Sequence, residues 1–178
     1  MRYEVPETKG EAVSLLAMAE GGGRVLAGGT DLLVQLRSGM VKPDVVVDIK
    51  KIVETREITA ENGGFRVGAA VTGAELDEHK ALKKLWPGVV EAVELIGSTQ
   101  IQGRASMGGN LCNASPAADS VPVLIAAGAQ CHIAGPDGER TVPVEEFCTG
   151  PGAVSYTHLR AHETREDLVC RLLLEKKK

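Results

Sequence analysis

A chain of 178 residues is long enough for one sizeable core, or for two small units sharing an interface. Its formal net charge is −4, and its basic residues are scattered among acidic ones without forming a stripe, which argues against nucleic acid as the main partner. The longest apolar runs, such as residues 121–129, fall well short of the roughly 20 residues that cross a bilayer, and Met1-Arg2-Tyr3-Glu4-Val5-Pro6 is not a secretory signal, so a cytoplasmic protein with no membrane span is expected.

In chain order, Thr8-Lys9-Gly10-Glu11 has the form of a capping box. Ala12, Leu15, Leu16 and Ala19 then share a helical face until Gly21-Gly22-Gly23 stops the helix. Residues 24–27 read as a buried strand, and Leu32, Leu33 and Leu36 stand at helical spacing within residues 31–38. The glycine pair of Ala27-Gly28-Gly29-Thr30-Asp31 therefore falls on a strand-to-helix junction, where unsatisfied N–H groups favour anions. Val45-Val46-Val47-Asp48-Ile49 reads as a strand buried on both faces, and the β-α-β-α-β order predicts a small mixed sheet.

A second sheet is expected to begin at the hairpin signal Asn62-Gly63-Gly64. Thr72-Gly73-Ala74-Glu75 is another capping box, and Pro87 opens a helix that buries Val89, Val90, Val93 and Ile96 before Gly97. Residues 98–119 read as a long polar loop containing a second station, Ser106-Met107-Gly108-Gly109-Asn110. Beyond it, Ser115 caps and Pro116 opens a helix, which would set Asp119 near a helix start beside the second glycine pair. Residues 131–142 form a hairpin about Gly135-Pro136-Asp137-Gly138.

Either glycine pair alone is weak evidence in a chain with 21 glycines, and neither G-x-G-x-x-G after a strand nor G-x-x-x-x-G-K-[ST] is present. Together they suggest a cradle for a phosphorylated ligand. Bare backbone N–H groups can approach a phosphate, Thr30, Ser106 and Asn110 can donate to its oxygens, and Asp119 can accept from a sugar or polyol hydroxyl. Cys112, Cys131, Cys148 and Cys170 have no C-x-x-C spacing and no histidine in ligand register, so buried free thiols are expected rather than a metal or iron–sulfur site. His79 and His132 have no nucleophile or acid arranged about them, and no catalytic residue is assigned. With so few aromatic residues, a flat ring would be walled by backbone and aliphatic side chains.

Composition shifts after Gly152. Residues 153–178 hold 6 Lys and Arg against 4 Asp and Glu, whereas the preceding part is acidic. This segment resembles a tail found on unrelated metagenomic translations, of the kind left by read-through of foreign DNA, and it is set apart as a non-native tail. The alternative is an amphipathic partner helix from about Ala161.

With both glycine stations, the segment Ser115-Pro116-Ala117-Ala118-Asp119 and Phe147-Cys148-Thr149-Gly150-Pro151-Gly152 occurring in that order, residues 1–152 resemble the FAD-binding subunit or domain of the molybdenum hydroxylases, the group of xanthine dehydrogenase and aerobic carbon monoxide dehydrogenase. The resemblance implies an α+β fold of the vanillyl-alcohol oxidase type. Residues 1–55 would form a small N-terminal β-α-β subdomain and residues 56–152 a larger mixed or antiparallel one, C-terminally incomplete, since family members continue past this point. Carried over residue by residue, the first FAD loop falls on Ala27, Gly28, Gly29, Thr30, Asp31, Leu32, Leu33 and Val34, and the second on Ser106, Met107, Gly108, Gly109 and Asn110. Asp119 matches an acidic contact to the ribityl or ribose hydroxyls, and Ile96 an apolar contact to the cofactor.

The implied cofactor is FAD. The implied role is an electron-transfer subunit working beside a molybdopterin-binding large subunit and a [2Fe–2S] small subunit, and delivering electrons to NAD+, oxygen or a quinone. Two other readings stand beside it. One is a stand-alone flavin reductase like that acting on UDP-N-acetylenolpyruvoylglucosamine, which would need its own substrate domain and proton donor. The other is a truncated interaction module that keeps the fold without the cofactor.

Overall fold

Three short strands, β1 (Arg2–Glu4), β2 (Gly23–Leu26) and β3 (Val45–Asp48), form a parallel sheet in the order β1-β3-β2. Parallel neighbours require crossovers, and the helices α1 (Lys9–Ala17) and α2 (Leu32–Arg37) supply them. The expected mixed sheet is thus wholly parallel. β1 is the first strand of the expected β-α-β-α-β order, and its three residues about Tyr3 carry too little pattern to fix its bounds from sequence. The structure, a computed structural model, describes residues 1–20, 22–150, 153–154 and 168–174.

The central position of β3 explains why all four of its residues are buried. α1 is capped as expected: the Thr8 hydroxyl oxygen accepts from the Glu11 N–H at 3.2 Å, while the Glu11 carboxylate accepts from the Glu7 N–H at 3.1 Å, one residue earlier than a standard box. Ala12, Val13, Leu16 and Ala19 face the core and Leu15 packs at its edge. This small core also takes in Ala69, Ala70 and Ala134 of the second unit.

After two 3-10 turns at residues 49–51 and 53–55, the chain enters β4 (Ile58–Glu61) and β5 (Gly64–Gly68). Asn62 and Gly63 both take positive φ, 52° and 79°, as a two-residue hairpin turn of the primed type demands. Next come α3 (Gly73–Glu78) and α4 (Lys80–Leu85), then α5 (Pro87–Glu94), whose Val89, Val90 and Val93 are buried. The capping box at Thr72 and Glu75 is complete, with bonds of 3.3 and 2.8 Å.

Residues 98–119 are not the long loop that their polarity suggests. They contain α6 (Thr99–Gln102) and α7 (Met107–Asn113), and the second glycine station is the first turn of α7. Ser106 caps it, its hydroxyl oxygen accepting from the Gly109 N–H at 3.0 Å, and Ala114 ends it in the left-handed region at φ 46°. Small residues misled the periodicity reading because α7 packs closely against the segment just after β5: a Cβ on Gly108 would lie 2.8 Å from the Ala69 backbone. Pro116 sits in a turn instead of opening a helix. α8 starts only at Ser120 and runs to Ala126, with Asp119 just before it.

The hairpin β6 (Gln130–Gly135) and β7 (Gly138–Pro143) follows, then α9 (Val144–Phe147), the short pair β8 (Cys148–Gly150) and β9 (Ala153–Val154), and β10 (Leu168–Leu174). The larger sheet is antiparallel in the order β4-β5-β10-β6-β7. Seven residues of the segment set apart on composition therefore form its middle strand, with Arg171 opposite Gly68 and Leu172 opposite both Val67 and Cys131. They are a strand, not the helix considered for that region; residues 155–167 lie outside the described residues. α1 packs on β3 and also on β6 and β10, so it lies between the two sheets.

Candidate cofactor-binding site

A cleft of about 350 Å3 opens where the two units meet, within the usual range for small-molecule sites. Ala27, Gly28, Gly29, Thr30, Asp31 and Leu32 line it from one side, and Ser106, Gly108, Gly109 and Asn110 from the other, with Ile96 between them. Tertiary packing thus brings together two stations nearly eighty residues apart in sequence. The junction is direct: a Cβ on Gly28 would stand 2.1 Å from the Arg104 carbonyl oxygen, so only a glycine lets the first station rest on the segment that leads into the second.

The glycines divide by purpose. Gly28 and Gly108 serve close protein contacts, and Gly29 serves a turn at φ 79°. Gly109 alone among the four stands against nothing but the Ser106 hydroxyl, at 2.9 Å, so a side chain there would extend into the cleft. Among the described residues, no backbone acceptor meets the N–H groups of Gly28, Gly29 or Thr30. These are the donors an anion needs.

Side chains complete the cradle differently from expectation. Ser106 is 2% exposed, and its oxygen is engaged as the cap of α7. The Asn110 carbonyl oxygen accepts from the buried Ser120 hydroxyl at 2.6 Å, which leaves its amide N–H groups for the cleft. Across the opening, the Gln35 amide donates to the Asn113 carbonyl oxygen at 3.4 Å and links the helices that follow the two stations. At the base of the first station, Lys50 donates to the Ala27 carbonyl oxygen at 3.0 Å and to Asp48 at 2.8 Å. Burial pushes the Asp48 carboxyl upward, but hydrogen bonds from Lys50 and Tyr3 outweigh it and hold the group below its ordinary value. The shared bond drives the Tyr3 hydroxyl the other way.

Four of the expected contacts lie off the cleft wall. Leu33 and Val34 point outward from α2, at 46% and 61% exposure, because only one face of that helix meets the junction. Met107 is fully buried in the core behind α7, and Asp119 is exposed in the turn before α8. Conversely, the wall includes Arg24, Val25, Gln35, Val41, Ile49, Ala69, Ala105, Cys112, Asn113 and Val154, none of which the sequence singled out for binding. Gln35 had a usable signal, since it stands one helical turn beyond Leu32 in a predicted helix; Asn113 had none while its segment read as a loop. Ala69, Ala105 and Val154 had none.

Among the described residues the lining carries no aromatic ring, in keeping with the few aromatic residues of the chain. Cys131 and Cys148 are in no disulfide and burial pushes their thiols upward; Cys112, also in no disulfide, lies on the cleft wall. No metal-binding cluster occurs among the described residues.

Two sheets with their helices and a glycine-lined cleft of small-molecule size define the class: an α+β protein with a ligand cleft. The family described as FAD binding domain in molybdopterin dehydrogenase matches residues 1–164, and the chain belongs to it. Similar proteins include the xanthine dehydrogenase FAD-binding subunit of Escherichia coli O157:H7, 38% identical over 88% of this chain and 53% of its own. The carbon monoxide dehydrogenase medium chain of Hydrogenophaga pseudoflava is 32% identical over 83% of this chain and 52% of its own.

Among solved structures, carbon monoxide dehydrogenase from H. pseudoflava lacking the Mo-pyranopterin moiety superposes with a TM-score of 0.90 at 28% identity, covering all of this chain and 60% of that one. Quinoline 2-oxidoreductase from Pseudomonas putida 86 gives 0.88 at 26% identity, covering 98% and 59%. The chain spans about half the length of the curated relatives it matches.

The family's cofactor is FAD, and the cleft fits it. Backbone donors with no backbone acceptor among the described residues suit a diphosphate, Gly109 keeps side-chain bulk out of the lining, and Val25, Val41, Ile49 and Ile96 supply aliphatic walls.

Proposed function

We propose that this chain is the FAD-holding part of an electron-transfer subunit in a molybdenum hydroxylase complex, receiving electrons from a [2Fe–2S] subunit that serves a molybdopterin subunit and passing them to NAD+, oxygen or a quinone. The observation that carries the reading is the convergence of both glycine stations on one cleft, with backbone donors that have no backbone acceptor among the described residues. In this reading Ala27–Leu32 of the first station and Ser106, Gly108, Gly109 and Asn110 of the second surround the diphosphate, and Ile96 packs against an apolar part of the cofactor. The layout is that of the vanillyl-alcohol oxidase type.

FAD, when bound, supplies the redox chemistry, so no general acid or base is required of the protein. The chain's own part is to bind, orient and shield. Backbone N–H groups neutralise the diphosphate, aliphatic walls exclude water, and the Gln35–Asn113 bond ties the two sides of the cleft together. No helix among the described residues is long and apolar enough to cross a membrane.

The test is the visible spectrum of the purified chain after addition of excess FAD and removal of the unbound fraction. Retained flavin absorbance is expected for the wild type and its loss for Gly109→Val, with circular dichroism showing that the variant remains folded. Flavin retained by Gly109→Val sinks the cradle, and a wild type that holds none turns the reading toward an interaction module that keeps the fold alone.

A further inference from the structure

Beneath the first glycine station lies a side-chain network that neither motif contains. Lys50, in the turn after β3, holds its ammonium 3.0 Å from the Ala27 carbonyl oxygen and 2.8 Å from the Asp48 carboxylate. Asp48, 5% exposed, also accepts from the Tyr3 hydroxyl at 2.5 Å and from the Lys50 backbone N–H at 3.0 Å. The network thus joins all three strands of the small sheet: Tyr3 lies on β1, Asp48 ends β3, and Ala27 follows β2.

The peptide between Ala27 and Gly28 is trans, as are all those described, so its N–H points opposite to its carbonyl. Holding the carbonyl therefore fixes the direction of the Gly28 N–H, which turns away from Lys50 and has no backbone acceptor among the described residues. An ammonium suits the task because its several N–H donors serve a carbonyl and a carboxylate at once. The Asp48 carboxylate, 2.8 Å away and buried, is its ion-pair partner.

We propose that Lys50 is a positioning residue for the cofactor diphosphate: by tethering the Ala27 carbonyl, and itself anchored by Asp48 and Tyr3, it orients the N–H groups of the first glycine station. The proposal rests on the FAD reading above. Lys50 does not line the cleft, so its effect is transmitted through the peptide and not by contact with the ligand.

The experiment uses the full chain with Lys50→Met, which keeps the stem and removes every donor, Lys50→Gln as a second variant that folds with a polar end, and Lys50→Arg as the conservative replacement. Two readouts are taken: the amide NMR signals of Gly28 and Gly29 without FAD, and FAD affinity by flavin fluorescence. Lys50→Met and Lys50→Gln are expected to shift or broaden both glycine signals and to weaken FAD binding roughly tenfold, with Lys50→Arg recovering most of each change.

Wild-type glycine signals in Lys50→Met and Lys50→Gln overturn the positioning role. Displaced signals with undiminished FAD affinity overturn its importance for the cofactor. If the wild type itself takes up no FAD, it is the functional reading that falls, and the glycine signals still decide whether Lys50 orients the station.

Discussion

Gly28 and Gly109 look alike in sequence and lack a side chain for different reasons. Gly28 leaves room for the Arg104 carbonyl, so Gly28→Ala is expected to lower stability by about 1–3 kcal/mol through overpacking, read as a lower midpoint in urea. A Cβ at Gly109 meets only the Ser106 hydroxyl, at 2.9 Å, so Gly109→Ala is expected to lose less stability than Gly28→Ala while weakening FAD binding. Equal losses of stability in the two variants would contradict the distinction. Asp48 makes a second prediction. Its carboxyl is held below its ordinary value in the folded chain, so its contribution to stability is present above about pH 4 and is lost as pH falls through the lower, folded value. Tyr3 has the opposite sign: its hydroxyl is raised, and its contribution persists below about pH 10 and fades as pH rises through the folded value. Asp48→Asn should therefore flatten the acid limb of melting temperature against pH, whereas parallel curves for variant and wild type would refute the assignment.

Elements with their own local chemistry behave as their sequences say. The capping box of α3 closes on Thr72 and Glu75, and Arg56 reaches over from the turn before β4 to pair with the same Glu75. Thr72→Ala should cost about 1 kcal/mol, measured by chemical denaturation, and no loss would show that the cap is redundant with that packing. The hairpins were legible because their turn chemistry is local: Asn62 and Gly63 supply the positive φ of the first, and Gly138, just after Pro136-Asp137, supplies it in the second at 115°. α7 was not legible. Its apolar residues are few, Met107, Leu111 and the partly buried Cys112, its glycines lower helix propensity, and the Ser106 cap and the contact with Ala69 support it. The same reversal hid Asn113, which is a cleft residue only because 107–113 is a helix.

At the scale of the molecule, the middle strand is the unexpected part. β10 separates β5 from β6, so a chain ending at Gly152 would leave both with open edges and Phe65, Val67, Cys131 and Ile133 with a depleted core. That truncation is expected to give an aggregated or partly unfolded product by size-exclusion chromatography and circular dichroism. A monodisperse, fully folded 1–152 fragment would show that the sheet closes without β10. Composition set residues 153–178 apart, yet pairing in a sheet is largely a matter of backbone hydrogen bonds and apolar residues, and Leu172, Leu173 and Leu174 answer to residues 67, 66 and 65 whatever the charge of their surroundings.

The sequence by itself determined the strand-to-helix position of the first glycine station, both capping boxes, the hairpins, the double-sided burial of β3 and the kind of ligand two glycine stations suit. Each of these depends on residues within a few positions of one another, where propensity and side-chain chemistry act directly. Tertiary structure alone decided that the small sheet is parallel, that Gly28 rests on Arg104, that Asp119, Leu33, Val34 and Met107 stand off the cleft while Asn113 and Val154 reach it, and that Leu168–Leu174 lies in the middle of the large sheet. Those outcomes depend on which distant segments come into contact, and the burial that favours them is non-directional: it rewards any apolar surface removed from water without naming its partner.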